Sequence, residues 1–165
     1  MYKEGVGLFL RNIEVIKITM LKRYQNKQLW SECMLVSLWN AARFHDVPKV
    51  PKIGTKEYKK IAIECKCING ACLSDIEKEA KRLGLISQEG ELSIKWFKEN
   101  LPVEFGVHCH RGYHSILVVN VKKDKLLLAN YALGRTHWMN WDTFLEKSNK
   151  YGTPISYKKK DLIKI

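Results

Sequence analysis

The chain changes its hydrophobic period at Pro102. Beyond it come three strand-like runs, about 103–109, 114–122 and 125–131, the first alternating apolar and polar residues and the others rich in Val, Ile and Leu, and Lys123-Asp124 makes a tight turn between the last two. A period of two marks strands, and a two-residue turn joins antiparallel neighbours. Before Pro102 the apolar residues recur at helical spacing behind residues suited to capping helices. Helices first and an antiparallel sheet afterwards predict an α+β fold, with N-terminal helices packed on a C-terminal antiparallel sheet.

Ser31 is placed to cap a helix running to about Asp46, with Leu35, Leu38, Trp39 and Ala42 as its apolar stripe. Thr55 begins a second helix to about Lys66, on which Tyr58, Ile61, Ala62 and Cys65 share a face. Ser74 and Glu77 have capping-box spacing for a third helix, which Gly84 ends. Ser93 caps a short fourth carrying Ile94, Trp96, Phe97 and Leu101. Residues 23–30 read as a loop, 47–54 as a connection with two prolines and a glycine, and Asn69-Gly70 as a turn. A short strand at 135–139 follows Gly134, residues 141–147 make a helical turn or two, and 13–19 alternate well enough for a strand. The 165 residues suit one domain, 1–165, with 1–24 as an N-terminal strand and extension and 25–150 as the core.

Composition narrows the function classes. No run of about 18 apolar residues is present, so no membrane span is expected. The start, Met1-Tyr2-Lys3-Glu4-Gly5, lacks the basic, apolar and small-residue order of a signal peptide, which predicts a cytoplasmic protein with reduced thiols. The net charge of +12 would suit nucleic acid, an anionic membrane or an acidic substrate. The lysines are scattered, however, the densest run is Lys158-Lys159-Lys160, and no nucleic-acid motif accompanies it.

Three residues carry the chemistry. Cys33 falls in the first turn of the first helix, where the helix dipole lowers a thiol pKa. His114 begins one strand after Gly112-Tyr113, and Asn130 ends the next, so a hairpin sets them side by side. An imidazole beside a thiol is its base, and a carboxamide orients that imidazole. Gln28, in the loop before Cys33, is placed to donate to an oxyanion together with the Cys33 N–H. The order Cys, His, Asn is that of papain-type thiol hydrolases.

Residues 25 to 150 resemble the peptidase domain with which bacteriocin-exporting ABC transporters remove double-glycine leader peptides. The similarity rests on Gln28 and Ser31-Glu32-Cys33, on the helix Leu73-Ser74-Asp75-Ile76-Glu77-Lys78-Glu79-Ala80-Lys81-Arg82-Leu83-Gly84-Leu85, and on Pro102-Val103. It continues through Tyr113-His114-Ser115-Ile116-Leu117-Val118-Val119, Asn130-Tyr131, Gly134 and Trp141-Asp142-Thr143-Phe144. The resemblance implies a papain-like fold, a cysteine peptidase that needs no cofactor, a peptide or protein substrate, and Cys33, His114, Asn130 and Gln28 as the catalytic set. The chain departs from the pattern at Met34, where the family has Gly, at the spacing of Gln28, and at Asn130, where the family has Asp.

Two other readings stay open beside the peptidase: a degenerate peptidase-like domain that binds a peptide or protein without cutting it, and a small basic nucleic-acid-associated protein. Cys65, Cys67 and Cys72 with His108, Cys109 and His110 offer thiols and imidazoles, but not at a usual zinc-knuckle spacing, and Cys65 lies on an apolar helix face, so no metal is expected. The five tryptophans are expected to line the core or a cleft.

Overall fold

The computed structural model describes residues 23–26, 31–67, 70–109 and 112–162. The strand expected at 13–19, Gln28, Trp30, Asn69 and His110 lie outside the described residues. Helices α1 (Cys33–Phe44), α2 (Lys56–Glu64) and α3 (Leu73–Arg82) come first, and α4 (Ile94–Glu99) and α5 (Trp141–Lys147) later. The strands are β1 (Leu85–Glu89), β2 (Val103–Cys109), β3 (Gly112–Lys122), β4 (Lys125–Ala132), β5 (Arg135–Asn140) and β6 (Ile155–Lys159). They form one sheet in the order β1-β6-β2-β3-β4-β5, with every pairing antiparallel.

The caps explain most helix starts. Thr55 Oγ accepts the Tyr58 N–H, and Ser93 Oγ accepts that of Trp96, as their spacing predicts. The third helix starts two residues before the expected Ser74. Cys72 is its N-cap and forms the reciprocal box with Asp75, whose carboxylate accepts the Cys72 N–H at 3.0 Å. Gly84, at a φ of 67°, turns the chain out of that helix.

The sheet is covered on both faces. On one face α1, α2 and α3 bury Leu38, Trp39, Tyr58 and Ile76 against Leu117, Val119, Ala129 and Tyr157. On the other, Phe97 of α4 and Phe144 of α5 pack on Phe105, Ile116, Val118 and Leu128. A register shift between Val118 and Asn120 breaks the alternation of β3, so Val121 joins Val118 on the second face while Asn120 meets solvent.

Strands β1 and β6 were not anticipated. Of β1 only Leu85 is buried, which leaves no apolar period to read. β6 carries Lys158 and Lys159 and looks like a basic tail, yet it inserts between β1 and β2 and buries Ile155, Ser156 and Tyr157. Lysines at a strand end keep their ammonium groups in water while the preceding residues complete the sheet.

Candidate functional site

Helix α1 begins at Cys33 itself. Ser31, the expected cap, has a φ of 60°, and Glu32 takes the N-cap position. The thiol therefore sits on the first helical residue, beside main-chain N–H groups that no helix carbonyl reaches. The buried Glu32 carboxylate receives the hydroxyl of Tyr58 from α2, so a second helix pins the residue before the thiol. Arg23 donates to the carbonyls of Arg43 and Phe44 at the far end of α1, at 2.8 and 2.9 Å.

The Cys33 side chain is half buried. Burial pushes the thiol above its ordinary pKa; main-chain N–H groups of Ser115, Met34 and Cys33 itself pull the other way, and the Glu104 carboxyl adds to the rise. The sequence argument expected a lowered thiol pKa. The helix end does contribute, but loss of water outweighs it, and the resting group is a neutral thiol.

Helix α1 packs on β3, the strand that carries His114 and Ser115. His114 is half buried, and its Nε2 lies 2.5 Å from the main-chain carbonyl of Asn130 on β4. A carbonyl only accepts, so Nε2 carries the hydrogen. In the neutral ring Nδ1 is then left with a lone pair, the form a general base requires. The sequence reading gave the orienting role to the Asn130 carboxamide; the contact seen here is made by its main-chain carbonyl.

Asn130 is buried and has a φ of 62°, in a stretch where the pairing of β4 with β5 shifts between Leu128 and Ala132. Asn tolerates the left-handed region better than other side chains. Its N–H donates to Asn26 Oδ1 at 2.8 Å, and the Asn26 carbonyl accepts the Gly134 N–H at 3.1 Å. Asn26 is thereby a support of the site that the sequence did not single out; its place in a polar loop upstream of Cys33 was the only available signal.

Replacing Asn130 by Gly keeps both the carbonyl and the left-handed backbone, whereas Ala strains it by about 1–2 kcal/mol. If turnover depends on the carbonyl bond, Asn130→Gly retains more of it than Asn130→Ala. Equal losses in steady-state assays would show that the carboxamide matters more.

The loop before α1 is firmly tied. The Gln25 N–H donates to Asn40 Oδ1 at 2.8 Å, and Asn40 Nδ2 donates back to the Gln25 carbonyl at 2.9 Å. The Gln25 side chain accepts from Ile53 N–H at 3.0 Å and donates to the Pro51 carbonyl at 3.3 Å. Of the two glutamines upstream of Cys33, Gln25 is thus engaged in holding the 51–53 connection, and Gln28 lies outside the described residues.

Behind the thiol lies a polar group that sequence reasoning missed. Ser115 Oγ donates to Glu104 Oε1 at 2.7 Å and lies 3.1 Å from Ser37 Oγ of α1. Glu104 is buried, and burial lifts its carboxyl to about 7, opposed by the Ser115 hydroxyl. The other cysteines are dispersed: Cys65 and Cys67 are buried, Cys72 and Cys109 exposed. Trp39 is in the core, Trp96 and Trp141 border it, and Trp138 is exposed.

No sequence-family model matches the chain, and no curated protein matches it. Solved structures do match its fold. The peptidase domain of Streptococcus ComA, described as a bifunctional ABC transporter involved in a quorum-sensing pathway, superposes with a TM-score of 0.64 at 17% identity, covering 82% of this chain and 97% of that domain. A double-glycine-motif protease from an AMS/PCAT transporter, solved with its leader peptide, gives 0.56 at 14% identity, covering 84% and 96%. The ComA peptidase domain of Streptococcus mutans gives 0.54 at 15%, covering 82% and 98%. The chain has the papain-like α+β fold of these peptidase domains. Among the described residues, no helix is long and apolar enough to cross a membrane.

Proposed function

We propose that this chain is a cysteine peptidase-like hydrolase that cleaves a peptide or isopeptide bond with Cys33 as nucleophile, His114 as base and Asn130 as the group that orients the base. The observation that carries the reading is the bond from His114 Nε2 to the Asn130 carbonyl, on the hairpin that packs against the helix opened by Cys33. It leaves the Nδ1 lone pair free, and in this reading Nδ1 is the base for the Cys33 thiol. Attack and proton transfer then occur together: Nδ1 takes the thiol proton as sulfur bonds to the carbonyl carbon. The Cys33 N–H at the helix end, with Gln28 from the preceding loop, receives the oxyanion. Imidazolium gives its proton to the leaving amine, and water releases the acyl group from sulfur. The reaction requires no cofactor, and the substrate is a peptide or protein met in the cytoplasm by a single domain.

The test is a peptide library digested with wild type and with Cys33→Ala and read by mass spectrometry. Cleavage by wild type alone, with an acyl adduct on Cys33 at early times, supports the reading. Identical digests overturn it. A second reading, a peptide-binding domain that does not cut, is favoured by the burial that keeps the Cys33 thiol protonated. Library peptides retained intact by both proteins would select it. A nucleic-acid-associated basic protein is the third reading, resting on charge alone.

A further inference from the structure

A carboxyl group sits in the core between α1 and the sheet, where the peptidase chemistry has no use for it. Glu104 is the second residue of β2, opposite Leu117 on one side and Ile155 on the other, and is 4% exposed. Among the described residues it has no cationic partner. Its bond is to the Ser115 hydroxyl, at 2.7 Å. Ser115 thus joins the two layers: its hydroxyl donates to Glu104 and lies against Ser37, on the helix that Cys33 opens. Ser37 of α1, one turn on from Cys33, closes the cluster at 3.1 Å from the same hydroxyl.

The groups around this carboxyl come from each element packed on it. Cys33 and Ser37 face it from α1, Ser115 from β3, and Tyr157 from β6. Of these, Cys33 and Tyr157 titrate, and both lose a proton to become anions. An ionised Glu104 thus opposes the ionisation of each of them. The Tyr157 hydroxyl is buried and lacks a hydrogen-bond partner among the described residues, so it offers Glu104 no compensating bond. An uncompensated carboxylate is an expensive thing to bury, and this one rests its charge on a single hydroxyl.

We propose that Glu104 is a positioning residue for the Cys33 thiol, acting through the Ser115 and Ser37 hydroxyls one helical turn from Cys33, and that its charge state sets how readily the thiol ionises. The inference rests on the reading of Cys33 as the nucleophile, but its test does not. When Glu104 is neutral it still accepts the Ser115 hydroxyl on its carbonyl oxygen, and the link to Ser37 on α1 is kept. When it ionises, a negative charge stands behind the site and resists a second one on Cys33. The two protons are then shared by a coupled pair, and each apparent titration belongs to both groups.

The experiment is the pH dependence of Cys33 alkylation by iodoacetamide, followed by intact mass and peptide mapping, in the whole chain and in Glu104→Gln. Gln keeps an acceptor for Ser115 and removes the charge. The midpoint of the wild-type profile is expected above that of a free thiol, and Glu104→Gln is expected to lower it by about one pH unit, up to roughly tenfold more thiolate below the midpoint. Superposed profiles from two folded proteins would overturn the proposal. A Ser115→Ala variant removes the hydroxyl link while leaving the Glu104 carboxyl, and is expected to slow alkylation at a given thiolate fraction without the downward shift.

A stability measurement keeps the proposal testable if the substituted protein is hard to label. A carboxyl lifted from 4.5 to about 7 in the folded chain holds its proton there while the unfolded chain releases it, so its contribution to stability falls as pH rises from about 4.5 to 7. The melting temperature of wild type should therefore decline relative to Glu104→Gln across that window. Parallel curves would overturn the assignment of a buried titrating carboxyl. His114→Ala, labelled alongside, reports on the peptidase reading separately: loss of turnover there with an unchanged Glu104 effect leaves both standing, and a Glu104 effect without turnover in any protein leaves this inference without the peptidase.

Discussion

His114→Ala is expected to lower peptide turnover by about 10²- to 10⁴-fold, the usual contribution of a positioned general base. The size follows from the state of the nucleophile. Burial holds the Cys33 thiol neutral, so little thiolate exists before substrate arrives. A site with a preformed thiolate would keep part of its rate without the imidazole, whereas this one has to remove the proton during attack. The Asn130 carbonyl fixes the ring with Nε2 protonated, and the mutation removes the Nδ1 lone pair which that bond leaves available. Steady-state assays of a peptide that wild type cleaves would measure the loss, and imidazole added to the mutant should restore part of the rate. Turnover unchanged by the mutation would remove His114 from the mechanism and send the search for a base elsewhere.

Trp39→Ala should destabilise the chain by about 3–5 kcal/mol, a large part of a typical domain's 5–15 kcal/mol. Trp39 is fully buried on α1, its ring centroid 5.0 Å from that of Tyr58. Its indole N–H donates to Glu79 Oε1 on α3 at 2.8 Å, and Arg82 holds both oxygens of the same carboxylate at 2.6 and 2.7 Å. Truncation opens a cavity and takes one donor from a buried anion. Trp39→Phe fills most of the volume and loses only that bond, so it should cost about 1–3 kcal/mol. Urea unfolding of the three proteins separates the two contributions. Because Tyr58 also holds Glu32 at the start of α1, Trp39→Ala should loosen the Cys33 end of the helix as well, seen as faster amide exchange there. A midpoint within error of wild type would mean that the α1–α3 junction carries little of the stability.

The structure shows which kinds of signal were readable. Thr55, Ser93 and Gly84 act as predicted because a cap depends on a few neighbouring residues. Strands β2 to β5 and the turn at Lys123-Asp124 follow from short strand-forming runs bounded by turn residues, again a local property. Ser31 and Ser74 are not the caps: Glu32 and Cys72 take those positions, Cys72 through its reciprocal bonds with Asp75. β6 was hidden because its lysines obscure the apolar residues that precede them.

By itself the sequence determined the α+β order, the helix that begins at Cys33, and the hairpin that brings His114 to Asn130, since each depends on residues near in the chain. Only the tertiary structure decided which atoms of those residues meet. The ring bonds a main-chain carbonyl because Asn130 takes a left-handed turn that Asn26, far away in sequence, holds in place. Glu104 alternates with Val103 and Phe105 like a residue that faces water, yet it is buried because α1 covers that side of the sheet. The unbroken buried run 115–119 on the neighbouring strand was the one local sign that both faces were covered. Desolvation has no address in the sequence: it depends on what lies on top, and at Cys33 and Glu104 it governs the charge.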